Sequence, residues 1–185
     1  KDEKIEASNG DAIQVTTAAI VGFDPGNHGS HVSGIIAGRK TIANDSDDTL
    51  ARGVAPGARL MVNRVCANNG GCQASLAMID LAQAGAQVIN MSLGGLSAFN
   101  DGYGVQETLV NRLSETYNTL FVISAGNSGP GKNTIGSPSV ARHSLSVGAS
   151  ASRDLIERQY QWPGVGRGKA NKNVADDFML FFSSR

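Results

Sequence analysis

The chain has 185 residues, a mass of 19.2 kDa and 16 basic against 16 acidic residues, so its net charge is zero with neutral histidines. This balance argues against a general nucleic-acid-binding protein, which needs a basic surface. No apolar run approaches the ~18–20 residues that cross a bilayer, so we expect no membrane span. No signal peptide is predicted either, because five of the first six residues are charged and no apolar block follows them. The length suits one domain or part of a larger one.

Two composition features bear on local structure. Glycine is frequent, at 23 of 185 residues, and its clusters follow apolar runs, as expected of turns and sites. The two cysteines, Cys66 and Cys72, are six positions apart. A disulfide across so short a loop would contribute roughly 2 kcal/mol in the chain-entropy model, and two free thiols are an equally good interpretation. Neither cysteine has a metal-binding spacing.

Apolar periodicity predicts alternating strands and helices. His28 to Gly38 is predicted as a helix, because Val32, Ile35 and Ile36 share one face. The polar segment from Thr41 to Thr49 is predicted as an exposed loop. The other predicted elements, in chain order, are a strand within Ala12–Phe23, a strand at Arg59–Val65, a helix at Gln73–Ala84, a strand at Gln87–Leu93, a helix at Val105–Tyr117, and strands at Thr119–Ser124 and Ser144–Val147.

This alternation implies right-handed crossovers and a doubly wound parallel sheet with helices on both faces. The continuous apolar runs VINMSL and LFVIS fit strands that are buried on both faces. Residues 150–177 are polar and glycine-rich and are predicted to be an insertion in one partial domain. The apolar segment Phe178–Phe182 is predicted as a further strand or sheet edge.

Two glycine-rich turns follow predicted strands, where ligands bind in open parallel sheets. The first is Leu93-Gly94-Gly95 and the second is Ala125 to Gly129. Asn127, in the second turn, could offer its side-chain amide to the negative oxygen that develops during acyl transfer. The alternative is that Asn127 only stabilises a turn.

Two histidines mark the start of the first predicted helix. His28 and His31 are three positions apart, and three interpretations are open. His28 could be a general base for a nucleophile. The pair could bind a metal together with Asp24 or His143. Both histidines could also be structural.

Four blocks together resemble the subtilisin-like serine proteases. They are HGSHVSGIIAG at 28–38, GVAPGARL at 53–60, VINMSLGG at 88–95 and SAGNSGPG at 124–131, in the order of that family. SPSVARHSLSVGA at 137–149 and FFSSR at 181–185 resemble later segments of it. The resemblance implies peptide-bond hydrolysis through a Ser/His/Asp triad, and therefore a peptide or protein substrate.

The resemblance also implies site residues. His28 corresponds to the triad histidine, His31 to a structural one, and Asn127 to the oxyanion-hole asparagine. The strand edge that pairs with the substrate backbone corresponds to Ser92, Leu93 and Gly94. One wall of the pocket for the residue before the scissile bond corresponds to Ser124, Ala125 and Gly126.

The chain departs from the family pattern at two catalytic positions. No Asp-Thr/Ser-Gly block precedes His28, and no Gly-Thr-Ser-Met-Ala block follows FFSSR. We therefore expect an internal fragment of a catalytic domain that is inactive alone and is completed by other parts of the same protease. The alternative is a non-catalytic subtilisin-like module that binds peptides.

Two further expectations rest on weaker signals. The resemblance favours a secreted or extracytoplasmic protein. No cofactor is expected, although the carboxylates between Asn44 and Asp48 could bind calcium. A solvated loop is the preferred interpretation of that segment.

Overall fold

The computed structural model describes residues 4–6, 12–15, 27–38, 53–66, 71–152 and 177–185. The chain divides into two compact units, Lys1–Ala86 and Gln87–Arg185. The calcium-binding candidate at Asn44–Asp48 lies outside the described residues. So does most of the predicted insertion.

The described part of the first unit contains a small mixed sheet and two helices. Its elements, in chain order, are β1 (Lys4–Glu6), β2 (Ala12–Val15), α1 (His28–Ala37), β3 (Met61–Val62) and α2 (Ser75–Gln83). β2 lies between β1 and β3, antiparallel to β1 and parallel to β3. β1 was not predicted, because its polar sequence has no apolar alternation. β3 is much shorter than the predicted strand.

The GVAP segment docks on the carboxyl end of α1. The amides of Gly53, Val54 and Ala55 donate to the carbonyls of Gly38, Ile35 and Ile36 at 2.9, 2.9 and 2.7 Å. These bonds satisfy carbonyl groups that the last turn of a helix leaves without partners. The close contact between this segment and the end of α1 needs glycine at position 53, because a Cβ there would lie 2.6 Å from the amide nitrogen of Ala37.

Both predicted long helices form. Apart from Leu113, however, the buried side chains are not the apolar residues whose spacing predicted the helices. In α2 the buried side chains are Met78 and Ala82, whereas Leu76 is 74% exposed. The next helix in the chain, α3 (Val105–Tyr117), buries Val110 and Leu113 and leaves Val105 84% exposed. Spacing therefore predicted the helices correctly, while tertiary packing selected their buried faces.

The second unit is built on a parallel sheet. Its elements are β4 (Val88–Met91), α3, β5 (Leu120–Ser124), β6 (Ser144–Val147), β7 (Ser150–Ser152) and β8 (Asp177–Met179). The sheet order is β4-β5-β6, all parallel, and α3 packs against β5. This arrangement confirms the α/β class. β7 and β8 pair antiparallel, with Ser152 opposite Asp177.

The parallel strands are not buried on both faces, contrary to the sequence-based expectation. Burial alternates: Phe121 and Ile123 are fully buried, whereas their neighbour Leu120 is 46% exposed. Val88, opposite Leu120 in the register, is 57% exposed. The described part of this unit contains one helix, which leaves an apolar sheet face uncovered.

Cys66 and Cys72 form a disulfide, so the interpretation as two free thiols is wrong. The bond joins the segment after β3 to the start of α2. A backbone hydrogen bond of 2.8 Å, donated by the Gln73 amide to the Val65 carbonyl, lies beside it.

Candidate active site

The two predicted glycine-rich turns follow neighbouring parallel strands. Met91, the last residue of β4, is in register with Ile123 near the end of β5. Ser92–Gly95 and Ala125–Gly129 therefore leave the same edge of the sheet. This is the carboxyl edge, where open α/β sheets place their ligands.

Residues 136 and 137 join the two turns. The amide of Gly95 donates to the Ser137 carbonyl at 3.0 Å, and the Ser137 amide donates back to the Gly95 carbonyl at 2.8 Å. The Gly136 amide donates to the carbonyl of Ala125 at 2.9 Å. A Cβ on Gly136 would lie only 2.9 Å from the Gly95 carbonyl oxygen, so the close approach requires glycine.

The predicted substrate edge directly follows β4, because the strand itself ends at Met91, and Gly94 has a positive φ of +145°. Within the described chain, the backbone groups of Ser92, Leu93 and Gly94 make no hydrogen bond. The Ser92 hydroxyl accepts a bond of 3.1 Å from the side-chain amide of Asn90. This backbone is therefore available to pair with an added strand.

The predicted pocket wall is held by its own backbone. Ala125 is 3% exposed, and its amide donates to the Val147 carbonyl at 2.8 Å. Ser124 and Gly126 are half-buried. Gly126 has a φ of +109°, a conformation that side-chain-bearing residues rarely adopt. Ala125 is therefore nearly inaccessible, and contact with a ligand at this wall falls to the half-buried Ser124 and Gly126.

Asn127 is exposed on the turn after β5. Its side chain has no hydrogen-bond partner among the described residues, whereas the backbone on either side of it is bonded. The Gly126 carbonyl accepts from the Ser184 amide at 3.0 Å, and the Ser128 amide donates to the Ser184 hydroxyl at 3.0 Å. The turn thus presents an unengaged amide donor from a fixed backbone.

His28 is the first residue of α1 and is exposed. The helix begins after Asn27, whose φ of +55° is left-handed and whose carbonyl accepts from the His31 amide at 3.0 Å. His31 is exposed one turn further on. The imidazole of His28 is therefore accessible to a reacting group. His28 belongs to the first unit and Asn127 to the second.

The metal-binding alternative receives no support from the described residues. Among them, no group of three or more histidine, cysteine or acidic side chains could hold a metal ion. His143 instead contacts Glu115, with Nε2 3.1 Å from Oε1. Asp24, the other suggested ligand, lies outside the described residues.

Two parts of this site were not predicted as such. The segment Gly136–Ser137 and the segment Phe182–Ser184 support the two turns by hydrogen bonds, yet neither contains a residue type that signals chemistry. Their only sequence signal was their similarity to later family blocks.

Across the described ranges, no helix is long and apolar enough to cross a membrane.

The described residues combine a parallel α/β sheet, an exposed asparagine turn at its carboxyl edge and, in the first unit, an exposed histidine at a helix start. The family model described as the Subtilase family matches residues 3–185, so the chain belongs to the subtilase family. The match extends beyond the blocks that carry the resemblance. It includes the residues before His28 and those between 150 and 177.

Relatives agree with this assignment. Pyrolysin of Pyrococcus furiosus is 38% identical over 161 residues, which is 72% of this chain and 11% of pyrolysin. Minor extracellular protease Vpr of Bacillus subtilis is 38% identical over 127 residues, 67% of this chain and 14% of Vpr. The chain thus spans a small part of the length of these relatives. Among solved structures, a mutant of the protease domain of PatA matches with a TM-score of 0.59 and 25% identity, covering 92% of this chain and 51% of that one.

Proposed function

We propose that this chain supplies the general base and the oxyanion donor of a serine peptidase. The observation that carries the proposal is the Asn127 turn, which presents an unengaged side-chain amide at the same sheet edge as the unbonded backbone of Ser92–Gly94. His28 is the base. A serine and an aspartate from other parts of the same protease complete the triad.

In this reaction the serine oxygen attacks the carbonyl carbon of the scissile peptide bond, and its proton passes to the His28 imidazole. The carbonyl oxygen becomes negative and accepts a hydrogen bond from the Asn127 amide. When the tetrahedral intermediate collapses, the C–N bond breaks and the amine leaves with the proton from His28. Water then repeats the sequence on the acyl-enzyme and regenerates the serine.

The substrate is an extended peptide that lies along Ser92, Leu93 and Gly94. Two observations support this orientation: the backbone of this segment is unbonded within the described chain, and its position is fixed at Gly95 by two hydrogen bonds to Ser137. Backbone pairing is independent of side-chain identity, so this edge would supply affinity rather than selectivity. The residue before the scissile bond would contact the wall formed by Ser124, Ala125 and Gly126.

The uncovered face of the β4-β5-β6 sheet supports the proposal that other parts of the protease pack on this chain. Leu145 and Val147 of β6 are 53% and 47% exposed, and they continue the apolar surface formed by Val88 and Leu120. Contiguous apolar surface of this kind is a feature of interfaces. We expect the lone chain to self-associate and the full-length protein to be monodisperse, as measured by light scattering.

One relative and one structural feature support a location outside the cytoplasm. Vpr is called an extracellular protease, and the Cys66–Cys72 disulfide fits an oxidising compartment. We propose that the protein acts outside the cytoplasm.

The function is tested by peptide hydrolysis in the full-length protein, with His28→Ala compared with its matched control His31→Ala. Both histidines are exposed on α1, one turn apart. We expect His28→Ala to lower kcat by about 10⁶, a value known for subtilisin itself, and His31→Ala to retain most activity. Equal effects of the two substitutions would contradict the role of His28.

A fluorophosphonate probe separates the peptidase from the alternative of a non-catalytic module. Labelling of the full-length protein at a serine, with no labelling of the lone chain, supports the peptidase in which this chain carries the base. Peptide binding by the full-length protein without labelling and without turnover would support the binding module.

A further inference from the structure

The segment Phe182–Ser184 touches the asparagine turn on both sides of Asn127. The amide of Ser184 donates to the Gly126 carbonyl at 3.0 Å, and its hydroxyl accepts from the Ser128 amide at 3.0 Å. Ser184 is 3% exposed and lies 56 positions from Ser128 in the sequence. One buried serine therefore bonds to both residues that flank the proposed oxyanion donor.

We propose that Ser184 is a positioning residue for the oxyanion donor: its amide and hydroxyl hold the backbone of Gly126 and Ser128 so that the Asn127 amide is aimed before substrate binds. This inference rests on the proposed function of Asn127. It assigns a role to the FFSSR block, which the proposed reaction does not otherwise use.

The packing around Ser184 leaves the turn little room to move. An ideal Cβ on Gly126 would lie 3.0 Å from the Ser184 hydroxyl oxygen, and Gly126 already has the left-handed φ of +109°. One residue further, the Gly129 amide donates to the Phe182 carbonyl at 2.9 Å. A Cβ on Gly129 would collide with the Ser183 carbonyl oxygen. The backbone of the turn therefore packs directly against Phe182–Ser184.

The same terminal segment also bonds to Thr134, which follows the turn in the sequence. The Thr134 amide donates to the Arg185 carbonyl at 2.9 Å, and the Arg185 amide donates to the Thr134 hydroxyl at 3.0 Å. The loop that carries Asn127 is thus bonded to residues 182–185 near both of its ends. Of these bonds, the two at Ser184 are the ones adjacent to Asn127.

The orientation of the Asn127 amide matters because an oxyanion donor stabilises charge only at the position where that charge develops. A preorganised donor also costs no reorganisation during the reaction. Without the Ser184 hydroxyl, the part-buried Ser128 amide loses its acceptor and the turn can relax towards other acceptors. The donor would remain present but less accurately placed. The expected loss is therefore smaller than that caused by removing Asn127.

The test is a double-mutant cycle in the full-length protein with Ser184→Ala and Asn127→Ala. We expect Ser184→Ala to lower kcat roughly tenfold while KM stays within about twofold, since the donor acts in the transition state. Asn127→Ala should lower kcat by about 10²–10³, a range taken from subtilisin itself. Adding Ser184→Ala to Asn127→Ala should cause no further loss, because no donor is left to position.

The matched control is Ser183→Ala. Ser183 is also buried, but its hydroxyl accepts from the Ala149 amide at 2.9 Å and makes a long 3.4 Å contact with the Ser184 carbonyl. Its loss should lower thermal stability and leave kcat unchanged. Ser184→Cys provides a second variant if Ser184→Ala does not fold, because a thiol is a weak acceptor. It should lower kcat several-fold without changing KM.

Hydrogen exchange at the Ser128 amide gives a readout that does not depend on activity. Faster exchange in Ser184→Ala together with a selective loss of kcat supports the inference. Faster exchange with unchanged kcat, equal kcat effects at Ser183 and Ser184, or additive effects in the cycle would each overturn it. A wild-type protein with no peptidase activity and no fluorophosphonate labelling would instead contradict the proposed function.

Discussion

Gly136 is the position where a single methyl group should disturb the proposed substrate edge. An ideal Cβ there lies 2.9 Å from the Gly95 carbonyl oxygen, 3.1 Å from its carbonyl carbon and 3.4 Å from its amide nitrogen. Ordinary contact begins at 3.4 Å. The substitution Gly136→Ala therefore requires the two segments to separate by about 0.5 Å at their closest point.

The cost follows from the bonds that this separation breaks. The hydrogen bonds between Gly95 and Ser137 measure 3.0 and 2.8 Å, and an added 0.5 Å or so would take both towards or beyond the upper limit for such bonds. Two lost bonds at about 0.5–1.5 kcal/mol each lower the free energy of unfolding by roughly 1–3 kcal/mol. Each kcal/mol corresponds to about 2–4 °C in Tm for a chain of this size.

Thermal unfolding and peptide hydrolysis in the full-length protein together test this reasoning. Gly136→Ala should lower Tm and raise KM, because the backbone at Ser92–Gly94 moves with Gly95. The matched control is Gly131→Ala, where an added Cβ makes an ordinary 3.6 Å contact with Thr134. Equal Tm and KM for the two variants would refute the argument that the two turns are joined at Gly136.

Three further substitutions test the packing on which the site depends. Phe121→Ala should destabilise the chain by about 3–5 kcal/mol in urea unfolding, because the ring is fully buried in β5; a loss below about 1 kcal/mol would contradict that burial. Ser139→Ala should cost about 1–3 kcal/mol, because the buried hydroxyl bonds to the Ile123 carbonyl at 3.2 Å and to Ser146 at 2.7 Å; an unchanged urea midpoint would show that these bonds contribute nothing net. Replacing Cys66 and Cys72 by serine should cost roughly 2 kcal/mol, and identical unfolding curves with and without reductant would show that the disulfide does not form in solution.

The sequence indicated some residues of the candidate site and missed others. Asn127 and His28 came from motif blocks, and the structure places both on exposed positions at the end of a strand and the start of a helix. Their catalytic roles stay predictions. Ala125 was predicted as pocket wall, but the whole residue is buried and both its backbone groups are hydrogen-bonded, so it supports the wall rather than forming its surface. The contribution of Ser184 had no signal beyond the similarity of FFSSR to a family block, because two adjacent serines are unremarkable in composition.

The sequence alone determined what depends on neighbours a few positions apart. The bounds of α3 and β6 matched their predictions, because the spacing of apolar residues along a short segment is a local property. Tertiary structure decided which helical faces are buried, which sheet face stays open and that Cys66 pairs with Cys72. It also decided that Gly136 and Ser184 hold the two turns. These contacts join segments separated by 41 residues (Gly95 to Gly136) and 56 residues (Ser128 to Ser184), and no local pattern encodes which distant backbone a turn will meet.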